Sequence, residues 1–132
     1  MTPKKLRTRE AGRGEARSRR LVAEKYLEVA DLASGEDGAT INVTVGIAVL
    51  AGIAAGDAIC MTATGEYYSG PDHAAAAELL ARIDAELGKR LSELVALKPA
   101  AHYGYKILDG NDRTRALRHA TALVTQARAR TA

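Results

Sequence analysis

The chain has no tryptophan and no phenylalanine, and five tyrosines are its whole aromatic content. Its core must therefore be filled by Ala, Leu, Val and Ile. Only three prolines interrupt the 132 residues. An Ala-rich, Pro-poor sequence with long gaps between turn signals argues for an all-α fold. No strand pattern and no internal repeat is visible. A single cysteine, Cys60, excludes an internal disulfide. With no secretory signal pattern at the N-terminus, the expected compartment is the reducing cytoplasm. Acids are missing from one end: from Arg113 onward there are five arginines and no carboxylate side chain.

What is present is organised around residues Ile41 to Met61. This run is apolar on all sides. Ile41, Val45, Ala48 and Val49 recur at helical spacing on one face, and Val43, Ile47, Leu50 and Ala54 cover another. A helix of that kind is buried in a protein or spans a membrane. Asp57 interrupts the run short of the roughly 20 apolar residues a crossing needs. Gly46, Gly52 and Gly56 each weaken an isolated helix by about 1 kcal/mol relative to Ala. Those glycines make sense where other helices pack closely, so the stretch is expected to be the central helix of a small bundle, with no membrane contact.

The length fits one domain. Residues 1–14 are charged and nearly free of large apolar groups, and are expected to form a disordered basic arm. Residues 15–130 form the bundle. A first helix from about Glu15 to Ala33 carries Val22, Tyr26, Val29, Ala30 and Ala33 as its inward stripe. The central helix runs from about Ala39 to Thr64, with Gly65 as C-cap. Ser69 and Asp72 have capping-box spacing, with Pro71 in the first turn of a helix that starts near Gly70 and reaches about Leu97. A kink or break between Asp84 and Gly88 makes the total four or five helices. Pro99 to Tyr103 add a turn, Gly104 to Gly110 a loop. A last helix capped by Asn111 or Asp112 buries Ala116, Leu117, Ala120, Leu123, Val124 and Ala127.

The charge is uneven. Residues 1–25 hold nine basic groups against three acids. The arm, with Arg19 and Arg20, and the last helix, with Arg113, Arg115, Arg118 and His119, are candidate contacts for RNA or an acidic protein partner. A solvated tail and an ordinary exposed helix face account for the same charges. Arg113 and His119 have an arginine-to-histidine spacing seen in some ribonucleases.

Asp57 lies among Ile53, Ala54, Cys60 and Met61. A carboxylate there is desolvated and needs a donor, for which His73, Lys98 and His102 are candidates. It is either a tuned acid or base, or a polar anchor fixing helix register. Asp72 and His73 sit at a helix start, where Asp72 complements the helix dipole and His73 can titrate. Tyr67 and Tyr68 beside them can stack on a base or close the bundle end. Lys98 and His102, four apart, suit a phosphodiester site in which the histidine moves a proton and the lysine steadies the phosphate. There is no His-x-x-x-His, Glu-x-x-His or cysteine pair, so neither a metal nor another cofactor is expected. Cys60 reads as a small core residue.

Taken in order, the long first helix, Leu50-Ala-Gly-Ile-Ala-Ala-Gly-Asp57-Ala-Ile-Cys60, Gly70-Pro-Asp72-His73, Lys98-Pro-Ala-Ala-His102-Tyr103-Gly104 and the Ala-rich final helix resemble the HEPN superfamily, in particular its small stand-alone members from actinobacteria. The resemblance spans roughly Arg19 to Arg128. It implies an up-and-down bundle of four to five helices, a homodimer, and RNA binding or metal-independent RNA cleavage within toxin–antitoxin or defence modules. Active members carry an arginine, four to six residues, then a histidine before the last helix. The matching positions here are Lys98 and His102. Lysine stands for arginine, only three residues intervene, and one is proline. Lysine lacks the bidentate grip of arginine on phosphate. The resemblance therefore implies a degenerate catalytic motif on a protein that binds nucleic acid or a partner. The alternative is a metal-independent ribonuclease using His102, with Lys98 and Asp57 assisting.

Overall fold

The computed structural model describes residues 5–33, 35, 37–103 and 107–131. Among them the chain forms an all-α bundle, as its composition requires, with one small two-stranded ribbon. The elements are β1 (Thr8–Glu10), α1 (Arg13–Leu32), α2 (Gly38–Thr64), β2 (Glu66–Tyr68), α3 (His73–Ala81), α4 (Ala85–Val95), α5 (Lys98–Tyr103) and α6 (Gly110–Arg130).

α2 is the central helix. Asp37 caps it, its carboxylate accepting from Thr40 N at 3.0 Å and Thr40 Oγ1 at 2.6 Å. Gly65 ends it in the left-handed region at φ 75°, donating its N–H to Met61 O. A side chain at Gly65 would be strained by that backbone, which is why glycine closes the helix. By length and composition α2 is long enough and apolar enough to cross a membrane, but 78% of its most apolar window is buried inside the bundle. The face carrying Ile41, Val45, Ala48 and Val49 is wholly buried, while Val43 on the other side is 57% exposed.

Glycine lets its neighbours in. A Cβ on Gly52 would lie 2.2 Å from Leu94 Cδ2 and 3.3 Å from Leu123 Cδ1, so α4 and α6 both rest on that bare backbone. α1 packs by a different device. Its buried residues are Ala16, Ala23 and Ala30, seven apart and so in one line along the helix. The inward stripe expected from Val22 and Val29 is corrected: both are exposed. The alanine line brings α1 closer to α2 than a valine stripe would, and Tyr26 only flanks the contact.

The helix expected from Gly70 to Leu97, with a kink or break between Asp84 and Gly88, is two helices broken at residues 82–84, where Asp84 caps α4 by accepting from Leu87 N at 3.1 Å. Asp72, not Ser69, caps α3. Ser69 donates its N–H and its hydroxyl to Arg7 O instead. α6 starts earlier than expected, from a reciprocal capping box between Asp109 and Asp112. The expected loop at Gly104 to Gly110 lies partly outside the described residues.

The largest correction is the arm. Within the segment read as disordered, Thr8–Glu10 pair antiparallel with Glu66–Tyr68, Arg9 opposite Tyr67, and Leu6 is buried. Two features missed from composition hold it: Leu6 joins the core cluster, and Ala11 N donates to Gly65 O at 2.8 Å. The ribbon brings the arm's cations over the C-terminal end of α2.

Candidate functional site

Asp57 lies two turns before the end of α2, in the apolar setting read from its neighbours. Its partner is not a histidine or Lys98, as expected, but Arg19 of α1. Arg19 Nε and Nη2 donate to the same oxygen, Asp57 Oδ2, at 3.2 and 3.1 Å. The correction has a helical reason. Arg19 and Arg20 are neighbours in sequence but about 100° apart around α1, so Arg19 is directed to α2 while Arg20 pairs with Glu24. Around the ion pair opens a cleft of about 320 Å³ whose lining includes Arg9, Arg19, Asp57, Tyr67, Tyr68, Ser69 and His73. Four elements meet there. The ribbon supplies Arg9 and the tyrosines, α1 and α2 the ion pair, and the start of α3 supplies His73. Tyr68 also fixes the entry to α3, its hydroxyl accepting from Asp72 N at 3.1 Å.

The electrostatics follow from burial. The Asp57 side chain is 13% exposed and that of Arg19 35%. Burial pushes the Asp57 carboxyl up to about 6, and Arg19, whose charge is partly screened by water, only moderates the rise. Burial, and then the charge of Asp57, push the Cys60 thiol up to about 12, so Cys60 is a protonated core residue. His73 is held below the usual imidazole value, first by burial and then by Lys98, with Asp72 opposing and His102 adding to the effect. Lys98 and His102 are therefore close enough for their charges to act on His73, but of the three only His73 lines the cleft.

His102 itself is anchored. Its Nε2 lies 3.1 Å from Gly46 O. A carbonyl only accepts, so Nε2 carries the proton in that bond and Nδ1 is the nitrogen left to accept when the ring is neutral. Gly46 permits the seat, since a Cβ there would stand 3.0 Å from His102 Cδ2.

The α6 candidates do not converge on this cleft. Arg113 donates from Nη1 to Gly35 O at 2.9 Å, and Arg115 pairs with Asp112 at 2.6 Å. His119 turns between α6 and α4, with Nε2 2.9 Å from Glu93 Oε2 and Nδ1 3.5 Å from Arg90 Nη1. Burial holds its pKa below the usual value, with Glu93 opposing. Arg118 is exposed. The arginine-to-histidine spacing of Arg113 and His119 thus joins two groups with separate structural partners.

Sequence reasoning named Tyr67 and Tyr68 but missed Arg9 as a cleft residue, and it missed Asn42. Arg9 and Tyr68 are placed by the ribbon, whose strands are only three residues each and carry no readable alternation. Asn42 is buried in α2, accepting from Leu108 N at 2.8 Å and donating to Ala100 O at 3.3 Å. It ties α5, and with it Lys98 and His102, to the central helix. An amide inside an apolar run was the available signal. Among the described residues no group of three or more His, Cys, Asp or Glu side chains is placed to hold a metal. Compared with known proteins, the chain matches no family model and no curated protein.

Proposed function

We propose that this chain is a HEPN-like nucleic-acid-binding protein of a toxin–antitoxin or defence module, cytoplasmic and homodimeric, with RNA held in the cleft over Asp57. One observation carries the reading: Arg9, Arg19, Tyr67, Tyr68 and His73 converge on one open cleft from four elements. Guanidinium groups grip phosphate, and tyrosine rings stack on unpaired bases whatever their sequence. The dimer is supported by the outer side of α1, where Leu21, Val22, Val29 and Leu32 are all exposed. Soluble monomers seldom leave such apolar residues together in water.

The cleavage reading is secondary. Against it stands the anchoring of His102 on Gly46 O rather than on Asp57.

One gel assay separates the readings. Labelled RNA is incubated in EDTA with the wild type, with His102→Ala, and with Arg9→Ala/Tyr67→Ala. The binding reading expects a shifted, intact RNA with wild type and His102→Ala, and a weakened shift with the cleft variant. Cleavage by the wild type alone would replace it with a metal-free ribonuclease. RNA neither cut nor shifted would discard both.

A further inference from the structure

A second basic site lies away from the cleft, on the opposite side of α1. Arg13 and Arg17 are four residues apart and so share one helix face, whereas Arg19 lies about 200° round from Arg17. Together with Thr62 at the end of α2 and Arg130 and Thr131 at the end of α6, they line a recess of about 240 Å³. Three guanidinium groups meet there, and no carboxylate is among the lining residues. Arg130 is held from behind: its Nη2 donates to Asp84 Oδ2 at 2.7 Å and its Nε to Gln126 Oε1 at 3.1 Å. Its Nη1 is not used in either bond. The side chains of Arg13 and Arg17 make no hydrogen bond or ion pair among the described residues. They differ in this from Arg19 and Arg20, which are both paired. Thr131 spends its hydroxyl proton on Ala127 O at 2.6 Å, while Thr62 is exposed and has a hydroxyl to donate.

Of the three guanidinium groups only Arg130 has a carboxylate partner, Asp84, so the recess carries an excess of positive charge that an anion would offset. The best match is a group with several acceptor oxygens and more than one negative charge, since each guanidinium offers a planar pair of donors. We propose that Arg13, Arg17 and Arg130, with the Thr62 hydroxyl, form a phosphate-binding site separate from the cleft. The phosphate is carried on a nucleic-acid backbone or comes free in solution; the recognition chemistry is the same.

The test uses the full chain and two probes. Inorganic phosphate is titrated against chloride at matched ionic strength, following Tm, and a fluorescent single-stranded oligonucleotide is titrated by anisotropy. The variants are Arg13→Gln/Arg17→Gln, Arg13→Lys/Arg17→Lys and, as a control of equal type elsewhere, Arg118→Gln. In the wild type phosphate raises Tm saturably. Arg13→Gln/Arg17→Gln loses that rise, and its oligonucleotide affinity falls by about fivefold or more, with a shallower salt dependence. The lysine variant keeps the charge and loses the paired donors, so it is intermediate, and it serves as the test should the glutamine variant fold poorly. Arg118→Gln and the cleft variant Arg9→Ala/Tyr67→Ala keep the full response to inorganic phosphate, which separates this site from the cleft. A response confined to the oligonucleotide identifies the backbone as the source, and one confined to inorganic phosphate identifies the free anion. No response to either probe, or a glutamine variant that matches Arg118→Gln on both, overturns the proposal.

Discussion

Arg19 and Asp57, one on each of the two longest-packed helices of the cleft, are joined through a single carboxylate oxygen, which receives both Nε and Nη2 of the guanidinium. Two donors on one oxygen make a pair that is charged yet not a fork-to-fork match. The carboxylate is the buried member and the arginine the wet one. Burial therefore governs the carboxylate, and its pKa rises although a cation touches it.

That imbalance sets a pH dependence. The native Asp57 titrates about 6, against 3.8 ordinarily. Between those values the folded chain holds a proton on Asp57 that the unfolded chain has lost. Stability contributed by this group is then highest below about pH 4, falls as pH rises towards 6, and is constant above. The shift corresponds to about 1 to 3 kcal/mol. Asp37, Asp84 and Asp112, whose pKa values are lowered, act in the opposite direction, so the measurement must be a difference. Urea unfolding of the wild type and Asp57→Asn from pH 4 to 7.5 isolates it: the wild type should lose ground to the variant as pH rises. A flat difference across that range would show that Arg19 fully offsets burial.

Asn42 is expected to be the most sensitive polar residue of the core. Its amide serves Leu108 N and Ala100 O at once, the first at 2.8 Å and buried. Asn42→Ala removes both partners and strands a buried N–H, at a cost of about 2 to 3 kcal/mol in urea unfolding. It also frees the segment that carries Lys98 and His102, so amide exchange should rise in α5 more than in α1. Equal rises in both helices would mean that Asn42 supports the bundle generally and does not position α5.

The sequence made α2 and α6 legible because their burial is periodic or complete. Ile41, Val45 and Val49 are buried as spaced, and Ala116, Ala120, Leu123, Val124 and Ala127 are the buried face of α6. α1 was legible as a helix but not in its facing, because three alanines decide it and alanine gives little contrast against Val22 and Val29. The ribbon was illegible because three-residue strands have no period, and its stability comes from Leu6 and the Gly65 carbonyl, both distant in sequence from their partners. The same holds for the cleft. Asp57, Tyr67 and His73 stood out as polar groups in suggestive places, but their assembly with Arg9 and Arg19 depends on the ribbon and on helix azimuth. A shortage of large apolar residues is the common cause, since small side chains leave packing to backbone approach.

That approach gives the last prediction. A Cβ at Gly88 would fall 2.5 Å from Ala81 Cα and 2.7 Å from Ala81 N. Those are backbone atoms of the preceding helix, so no rotamer change relieves the clash, and α3 would have to move off α4. Gly14, by contrast, lies in the first turn of α1 with nothing within 4 Å of a Cβ. Alanine is the better helix former by about 1 kcal/mol at either position. Gly14→Ala should therefore stabilise by up to about 1 kcal/mol, whereas Gly88→Ala should destabilise by about 1 to 3 kcal/mol despite the same propensity gain. Chemical denaturation of the two variants measures both signs. If Gly88→Ala were neutral, the α3–α4 elbow would be loose enough to open, and the close contact of the two helices at Ala81 would not be what sets the angle between them.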